Sequence, residues 1–469
     1  MPPYDQRTAT RRRQLARAAW TKLRAQAARR AEEAYEEEEP EDPATYRAMD
    51  LALRVGELLL GSGEGTETVN EAMRSLAVAY GLPRSETAVT FTAISLSCQP
   101  GGGAAPVTGE RVVRRRYPDY TRLVATHKLV EDAALGLVDL DEAFDRLRTI
   151  KRRRSRYPSW LVALSLPLLA ASASLLTGGS TLVAAIAFLS TVVAERTTAL
   201  LARRGVAEFY QYAAAATIAS GTGIGLIASG ISLPASAVIT GAIMALLPGR
   251  PLVASVQDGI TGSFVSAGAR LLEVFFIVAA IVSGVGLSVY VATRLGVTMP
   301  LGALPYIGAS LRPAQVIGAI GISVTFAMSL LAPLRAVAAS AVGGGLIWLA
   351  YVLLRTNDVP QVMASGVAAA AVGLLAHLVA RWQRSPALPY VVPVIGPLLP
   401  GTLLYRGLVE MNLGDVNQGL LNLSQAIAVA LALAVGISVG GELVRTLRGN
   451  GTVGVSPANR PAARRTRGY

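Results

Sequence analysis

Leu246-Leu247-Pro248-Gly249 returns as Leu398-Leu399-Pro400-Gly401, 152 positions later. The reading of these two stretches decides the fold. Each closes an apolar segment, and each is followed by about twenty mixed residues and then a long apolar run. The offset holds without a gap: Pro234 matches Pro386, Leu252 matches Leu404, Gly262 matches Gly414, Leu271 matches Leu423 and Gly284 matches Gly436. Asp258 falls on Glu410, and Glu273 on Gln425. Upstream, Gly221 and Leu226 match Gly373 and Leu378. One unit is used twice, and each copy has a polar Pro-Gly joint. Pro248 and Pro400 lack a backbone N–H and end a helix. Gly249 and Gly401 permit unusual dihedrals or close approach.

Composition agrees with a membrane chain. Of 469 residues, 52% are hydrophobic. Residues 1–158 are charged, whereas 160–444 run for long stretches almost without charge. That pattern is a soluble head followed by a polytopic membrane part. The net charge of +13 comes largely from Arg beside apolar segments and in the tails, so it reads as topology. The basic clusters lack interleaved stacking aromatics, which argues against nucleic-acid binding. Cys98 is the single cysteine, so no intrachain disulfide forms. With one thiol and two His there is no zinc or haem pattern, and no cofactor is expected. The first thirty residues lack the apolar core of a signal peptide.

Residues 1–45 form a charge-blocked tail, basic and then acidic. Residues 46–150 read as a small α+β domain of order ααββαα. A helical period runs from Met49 to Leu60 and breaks at Gly61-Ser62-Gly63-Glu64-Gly65. Thr66 is placed to cap a second helix, which stops at Gly81 and Pro83. Strands are expected at 89–96 and, after the Gly101-Gly102-Gly103 turn, at 111–117. Helices follow at about 121–135 and 139–150, the second opened by Asp139. The Gly-Ser-Gly-Glu-Gly-Thr loop lacks the Lys of a P-loop and reads as an inter-helix turn. Ser62, Ser95 and Ser97 with His127 have no G-x-S-x-G elbow to make a hydrolase. Lys151-Arg152-Arg153-Arg154 abuts the first apolar span, which places the head in the cytoplasm.

A bilayer crossing needs about twenty apolar residues. Ten spans are expected: 160–177, 180–201, 209–228, 232–247, 271–292, 312–331, 333–354, 361–380, 387–400 and 423–443. The fourth and ninth are short and run into the joints. Five spans per unit is an odd number, so the second copy enters from the opposite face. Residues 160–292 and 312–444 are then two inverted five-helix repeats, with both termini cytoplasmic and a basic tail at 445–469. Secondary transporters built this way place the substrate where interrupted helices of the two repeats meet.

Candidates for a substrate and proton pathway are therefore Pro248, Gly249, Asp258, Gly262, Arg270 and Glu273, with Pro400, Gly401, Glu410, Gly414 and Gln425 in the second copy. Asp258 and Glu410 suit an ammonium group or a carried proton. Arg270 and Glu273 are spaced for an i,i+3 pair. The other reading of 246–270 and 398–422 is a surface loop with solvated carboxylates. Glu195 and His377, ionisable residues in spans, rank second.

Three pieces together resemble the threonine/serine exporter family. They are Gly56-Glu57-Leu58-Leu59-Leu60-Gly61-Ser62-Gly63-Glu64-Gly65-Thr66-Glu67, Thr90-Phe91-Thr92-Ala93-Ile94-Ser95-Leu96-Ser97, and Leu247-Pro248-Gly249-Arg250-Pro251 through Asp258, Gly262 and Arg270-Leu271-Leu272-Glu273. The Leu399-Pro400-Gly401 copy is similar to the family's second half. The resemblance implies export of threonine and serine across the plasma membrane, driven by the proton-motive force, with no enzymatic activity. Similar two-subunit proteins are associated with dicarboxylate export, which is the alternative cargo. A sensor or enzyme head on a membrane anchor is a third reading. The expected partners are a small amino acid, protons and the bilayer. The oligomeric state is left open, a homo-oligomer included.

Overall fold

The computed structural model describes residues 43–448 apart from 100–104, 114–117, 154–155, 231–232, 298–307, 309 and 413. The charged tail at 1–42, the triple-glycine turn and the basic tail from 449 lie outside the described residues.

Residues 43–152, here called the head, open with helices α1 (Pro43–Gly61) and α2 (Thr66–Ala79). Their apolar residues recur every three or four positions, so each buries one stripe. Leu51, Val55 and Leu59 of α1 meet Val69, Met73 and Leu76 of α2 in one core. Strands β1 (Glu86–Val89), β2 (Ala93–Cys98) and β3 (Val107–Val112) form an antiparallel sheet in chain order. Strand alternation sends Ile94, Leu96 and Cys98 into the core. Helices α3 (Tyr120–Ala134) and α4 (Leu140–Arg152) complete the head. Asp119 and Asp139 cap them, accepting from the backbone N–H groups of Arg122 at 2.9 Å and Glu142 at 2.7 Å.

The order is ααβββαα, which corrects the two-strand expectation. The run 89–96 is not one strand but a hairpin, closed by the Thr90 N–H donating to the Ala93 carbonyl at 2.8 Å. Its turn, Thr90-Phe91-Thr92, carries no Gly or Pro and looks like strand sequence. The next strand ends at Val112, and the expected strand residues 114–117 lie outside the described residues. Thr66 is also corrected. Gly65 is the N-cap, and Thr66 is the first residue of α2.

The remaining helices are α5 (Ser159–Leu176), α6 (Thr181–Arg203), α7 (Glu208–Ala228), α8 (Ala235–Leu246), α9 (Gly249–Ile260) and α10 (Phe264–Arg294). They are followed by α11 (Pro313–Ser329), α12 (Leu334–Thr356), α13 (Gln361–Trp382), α14 (Leu388–Val391), a 3-10 turn at Gly396–Leu398, α15 (Gly401–Asn412) and α16 (Val416–Arg448). Each element of the second series starts 152 to 154 positions after its counterpart in the first.

Among the described residues, six helices are long and apolar enough to cross a bilayer: α5, α6, α10, α12, α13 and α16. The pair α8 and α9, bent by 50°, makes a seventh if taken as one span. This is fewer than ten, for identifiable reasons. Helix α8 has 12 residues, a rise of about 18 Å, against a hydrocarbon core of about 30 Å. The ninth expected span is no continuous helix, because Pro389, Pro393, Pro397 and Pro400 interrupt it. Helix α11 is apolar but has only 17 residues. Helix α7 is diluted by Gly, Ser and Thr.

Helix α5 packs on α11, α7 on α10 and α13 on α16. The last two pairs use the same device. A Cβ on Gly284 would stand 2.2 Å from the Ala213 carbonyl oxygen, and one on Gly436 2.3 Å from that of Gly366. Backbones this close need a residue without a side chain.

Candidate functional site

Both joints are built alike. The Gly249 N–H donates to the Leu247 carbonyl at 2.8 Å, and the Gly401 N–H to the Leu399 carbonyl at 2.7 Å. The following helix then starts with Leu252 bonding Pro248 at 3.1 Å and Leu404 bonding Pro400 at 3.0 Å. The joints also touch one another reciprocally. A Cβ on Gly249 would meet Leu399 Cδ1 at 2.5 Å, and one on Gly401 would meet Leu247 Cδ1 at 2.9 Å. Gly262 and Gly414 have φ of +86° and +95° and turn each short helix into the long one after it. The six expected Pro and Gly positions therefore serve two kinds of turn, one before and one after each short helix.

The carboxylates behave differently from solvated loop residues. Asp258 is 2% exposed, Arg270 3% and Glu410 5%. Arg270 Nε donates to Asp258 Oδ2 at 2.8 Å. Oδ1 of the same carboxylate accepts from the Thr66 N–H at 3.2 Å and the Thr66 hydroxyl at 3.0 Å. Asp258 thus sits at the N-terminus of α2, where free N–H groups and the helix dipole favour an anion. Arg270 Nη2 also donates to the Glu64 carbonyl oxygen at 3.3 Å. Its guanidinium lies 5.4 Å from the Phe91 ring centroid, within cation–π range. Arg270 was expected to pair with Glu273 at i,i+3; its guanidinium bonds inward to Asp258, twelve residues upstream. Glu273 is half-buried.

The second joint carries the matching pair. Asn422 Nδ2 donates to Glu410 Oε2, and Arg406 Nη2 lies 3.9 Å from Oε1. Asn422 occupies the position of Arg270 in the repeat, so an Asp–Arg ion pair in one copy becomes a Glu–Asn hydrogen bond in the other. Asn422 was not among the expected site residues, although the 152-residue offset points to it. Gln425, which was, is exposed.

The head loop is more than a turn between helices. Ser62, Glu64 and Thr66 are buried. Glu64 Oε2 pairs with His127 Nε2 at 2.8 Å. The φ of Gly63 is +96°, a backbone conformation that favours glycine, and the Arg250 guanidinium packs against it, in the place a Cβ would take. Nearby, Tyr120 is fully buried, and burial pushes its hydroxyl pKa well up. The Tyr120 and Thr121 N–H groups donate to the Leu330 and Leu331 carbonyls at 3.0 and 3.1 Å, which docks α3 on the turn between α11 and α12.

A cavity of about 550 Å³ opens beside Asp258. The head contributes Glu64, Glu67, Glu71 and His127 to its wall. The helical part contributes Asp258 and Thr261, His377 of α13, Pro386 to Leu388, and Ser438 and Glu442 of α16. Among the described residues no Lys or Arg is in that lining, and both histidines of the chain are. His377 Nδ1–H donates to the Gly373 carbonyl at 2.7 Å. Glu195 is elsewhere, in α6 and outside that lining. Among the described residues, no three His, Cys, Asp or Glu converge as a metal site.

These features define a polytopic helical membrane protein with a charged pair buried beside a broken helix. Comparison with known proteins agrees. Residues 50–292 match the family model described as "Putative threonine/serine exporter", and residues 315–441 match "Threonine/Serine exporter, ThrE". The "Probable threonine/serine exporter" of Mycobacterium tuberculosis (strain ATCC 25618 / H37Rv) is 33% identical over 424 residues, covering 88% of this chain and 80% of the relative. The "Threonine/serine exporter" of Corynebacterium glutamicum is 29% identical over 408 residues, covering 85% and 83%. No solved structure matches. The chain belongs to the threonine/serine exporter family and is a membrane transporter, not an enzyme. The three stretches that carried the resemblance in sequence meet in space at Arg270: Phe91, the Glu64 carbonyl and Asp258 all touch it.

Proposed function

We propose that the protein exports small hydroxy amino acids, threonine and serine, across the plasma membrane in exchange for protons. The observation that carries this is the buried Asp258–Arg270 pair, whose carboxylate borders an acid-lined cavity. A zwitterion offers an ammonium group for the carboxylate and a carboxylate for the guanidinium. A wall rich in Glu and Asp and free of Lys and Arg suits an ammonium-bearing solute and repels a dicarboxylate. The names of the relatives support the same cargo. Asp258 and Glu410 are the proposed proton carriers, since buried carboxylates at helix breaks are the groups whose protonation binding can change.

The membrane part is proposed to be two inverted repeats, residues 160–292 and 312–444, each of six helices, α5–α10 and α11–α16. The reciprocal Gly249–Leu399 and Gly401–Leu247 contacts support a two-fold relation, in which residue i meets j and j meets i. The head is proposed to be a cytoplasmic domain covering 46–150. It contacts the turn at 330–331, Asp258 of α9 and, across the cavity, 386–388 and the end of α16. All of these lie on the cytoplasmic side of the proposed topology.

The test is threonine efflux from cells loaded with a threonine-containing dipeptide, with and without a protonophore. Protein-dependent efflux that collapses with the protonophore is the expected result. Efflux indifferent to the protonophore would remove the proton exchange. Efflux of succinate but not of threonine would replace the cargo.

A further inference from the structure

The contact between the head and Asp258 has the chemistry of a bound ligand. One residue, Thr66, gives Asp258 Oδ1 both a backbone N–H and a hydroxyl. These donors stand on adjacent carbons, the amino-alcohol arrangement of free threonine and serine. On the opposite arm, Arg270 holds the Glu64 carbonyl oxygen, where a carboxylate would make a stronger charge-assisted bond. Thr66, Asp258 and Arg270 are all at most 3% exposed. Glu64, Gly65 and Asp258 nevertheless line the cavity, so the loop and the carboxylate it caps border space that a solute can fill, with Arg270 behind them. Helix capping alone does not call for this. A local Ser or Asp at residue 65 would serve α2, yet that position is Gly and the cap comes from 192 residues away.

We propose that Glu64-Gly65-Thr66 occupies the cargo site as a built-in substitute for a hydroxy amino acid, so that the head closes the site until cargo displaces the loop. This rests on the reading of the protein as a hydroxy-amino-acid exporter. The competition is balanced. The loop is tethered and binds at high effective concentration. The cargo replaces a neutral N–H by an ammonium and a neutral carbonyl by a carboxylate, and both bonds strengthen. The loop then sets the cargo concentration at which the site opens.

Binding of threonine to the purified full-length protein, followed by calorimetry, tests this with Thr66→Val and Thr66→Ser beside the wild type. Thr66→Val keeps shape and N–H but loses the hydroxyl. It is expected to bind threonine about three- to tenfold more tightly, the equivalent of one net hydrogen bond, with Thr66→Ser close to wild type. Unchanged or weaker binding by folded Thr66→Val overturns the proposal and leaves the exporter reading intact. Wild type that binds neither threonine nor serine overturns both. Should Thr66→Val not fold, hydrogen exchange of the wild-type protein decides: threonine is expected to speed exchange at residues 62–68, and unchanged or slower exchange overturns the proposal.

Discussion

Asp258 and Glu410 occupy the same position in the two copies, yet they are held differently, and their substitutions should differ too. Asp258→Asn leaves the Arg270 guanidinium buried without a counter-charge. Removing one partner of a buried pair costs roughly 3–5 kcal/mol. The melting temperature in detergent is expected to fall by several degrees and efflux to be lost. Glu410→Gln still offers an acceptor to Asn422, so a smaller fall is expected from the same measurement. Cys98 gives a second expectation. It is 1% exposed, and burial pushes its thiol pKa up, so less thiolate is present at neutral pH. Native protein is expected to resist maleimide and denatured protein to take up one equivalent, read by mass spectrometry. At this scale the repeat offset made both acids legible. It did not show that Arg270 reaches Asp258, because a guanidinium meets a carboxylate by distance in space, and twelve residues of chain fold back to bring the two to 2.8 Å.

The joints are where elements decide. Gly249 and Leu399 interlock, as do Gly401 and Leu247, so a single methyl group has nowhere to go. Gly249→Ala is expected to destabilise by about 1–3 kcal/mol. Combining it with Leu399→Ala should recover part of that loss, since the two residues are in contact and couple. A double-mutant cycle of detergent melts checks this, and strict additivity would mean that the contact is not made. The Pro-Gly signals were legible as helix ends, because proline's missing N–H acts wherever it stands. The hairpin at 90–92 was not, because its turn is held by Thr90 bonding Ala93 and carries no glycine or proline. The ten expected spans shrank for a related reason: apolar composition extends through 387–400, but four prolines prevent one helix from using it.

At the scale of the molecule, the head is fastened to the helical part at several places. The N-terminus of α2 holds Asp258 and that of α3 holds the 330–331 turn, and just after the head the Tyr157 hydroxyl donates to the Ala332 carbonyl at 2.6 Å. With Cys98→Ser as background, the proposed inversion predicts opposite labelling of Arg204→Cys and Asn357→Cys by an impermeant maleimide. Asn357→Cys is expected to react on intact cells and Arg204→Cys only after permeabilisation. Both reacting from the same side would exclude the proposed inversion.

Hydrophobic spans, the doubled Pro-Gly joint, the paired acids and the family pattern were all determined by the sequence itself. Each is a local or fixed-offset property: apolar length, a missing N–H, a recurrence at 152 positions. Only the tertiary structure decided what those residues touch. Thr66 meets Asp258 across 192 residues, and Arg270 meets Glu64 across 206. The loop read as a turn became a wall of the site for the same reason. Burial removes water as a competing partner, so a polar group binds whichever donor or acceptor the fold delivers. That delivery is a property of the packed helices and not of any one stretch of chain.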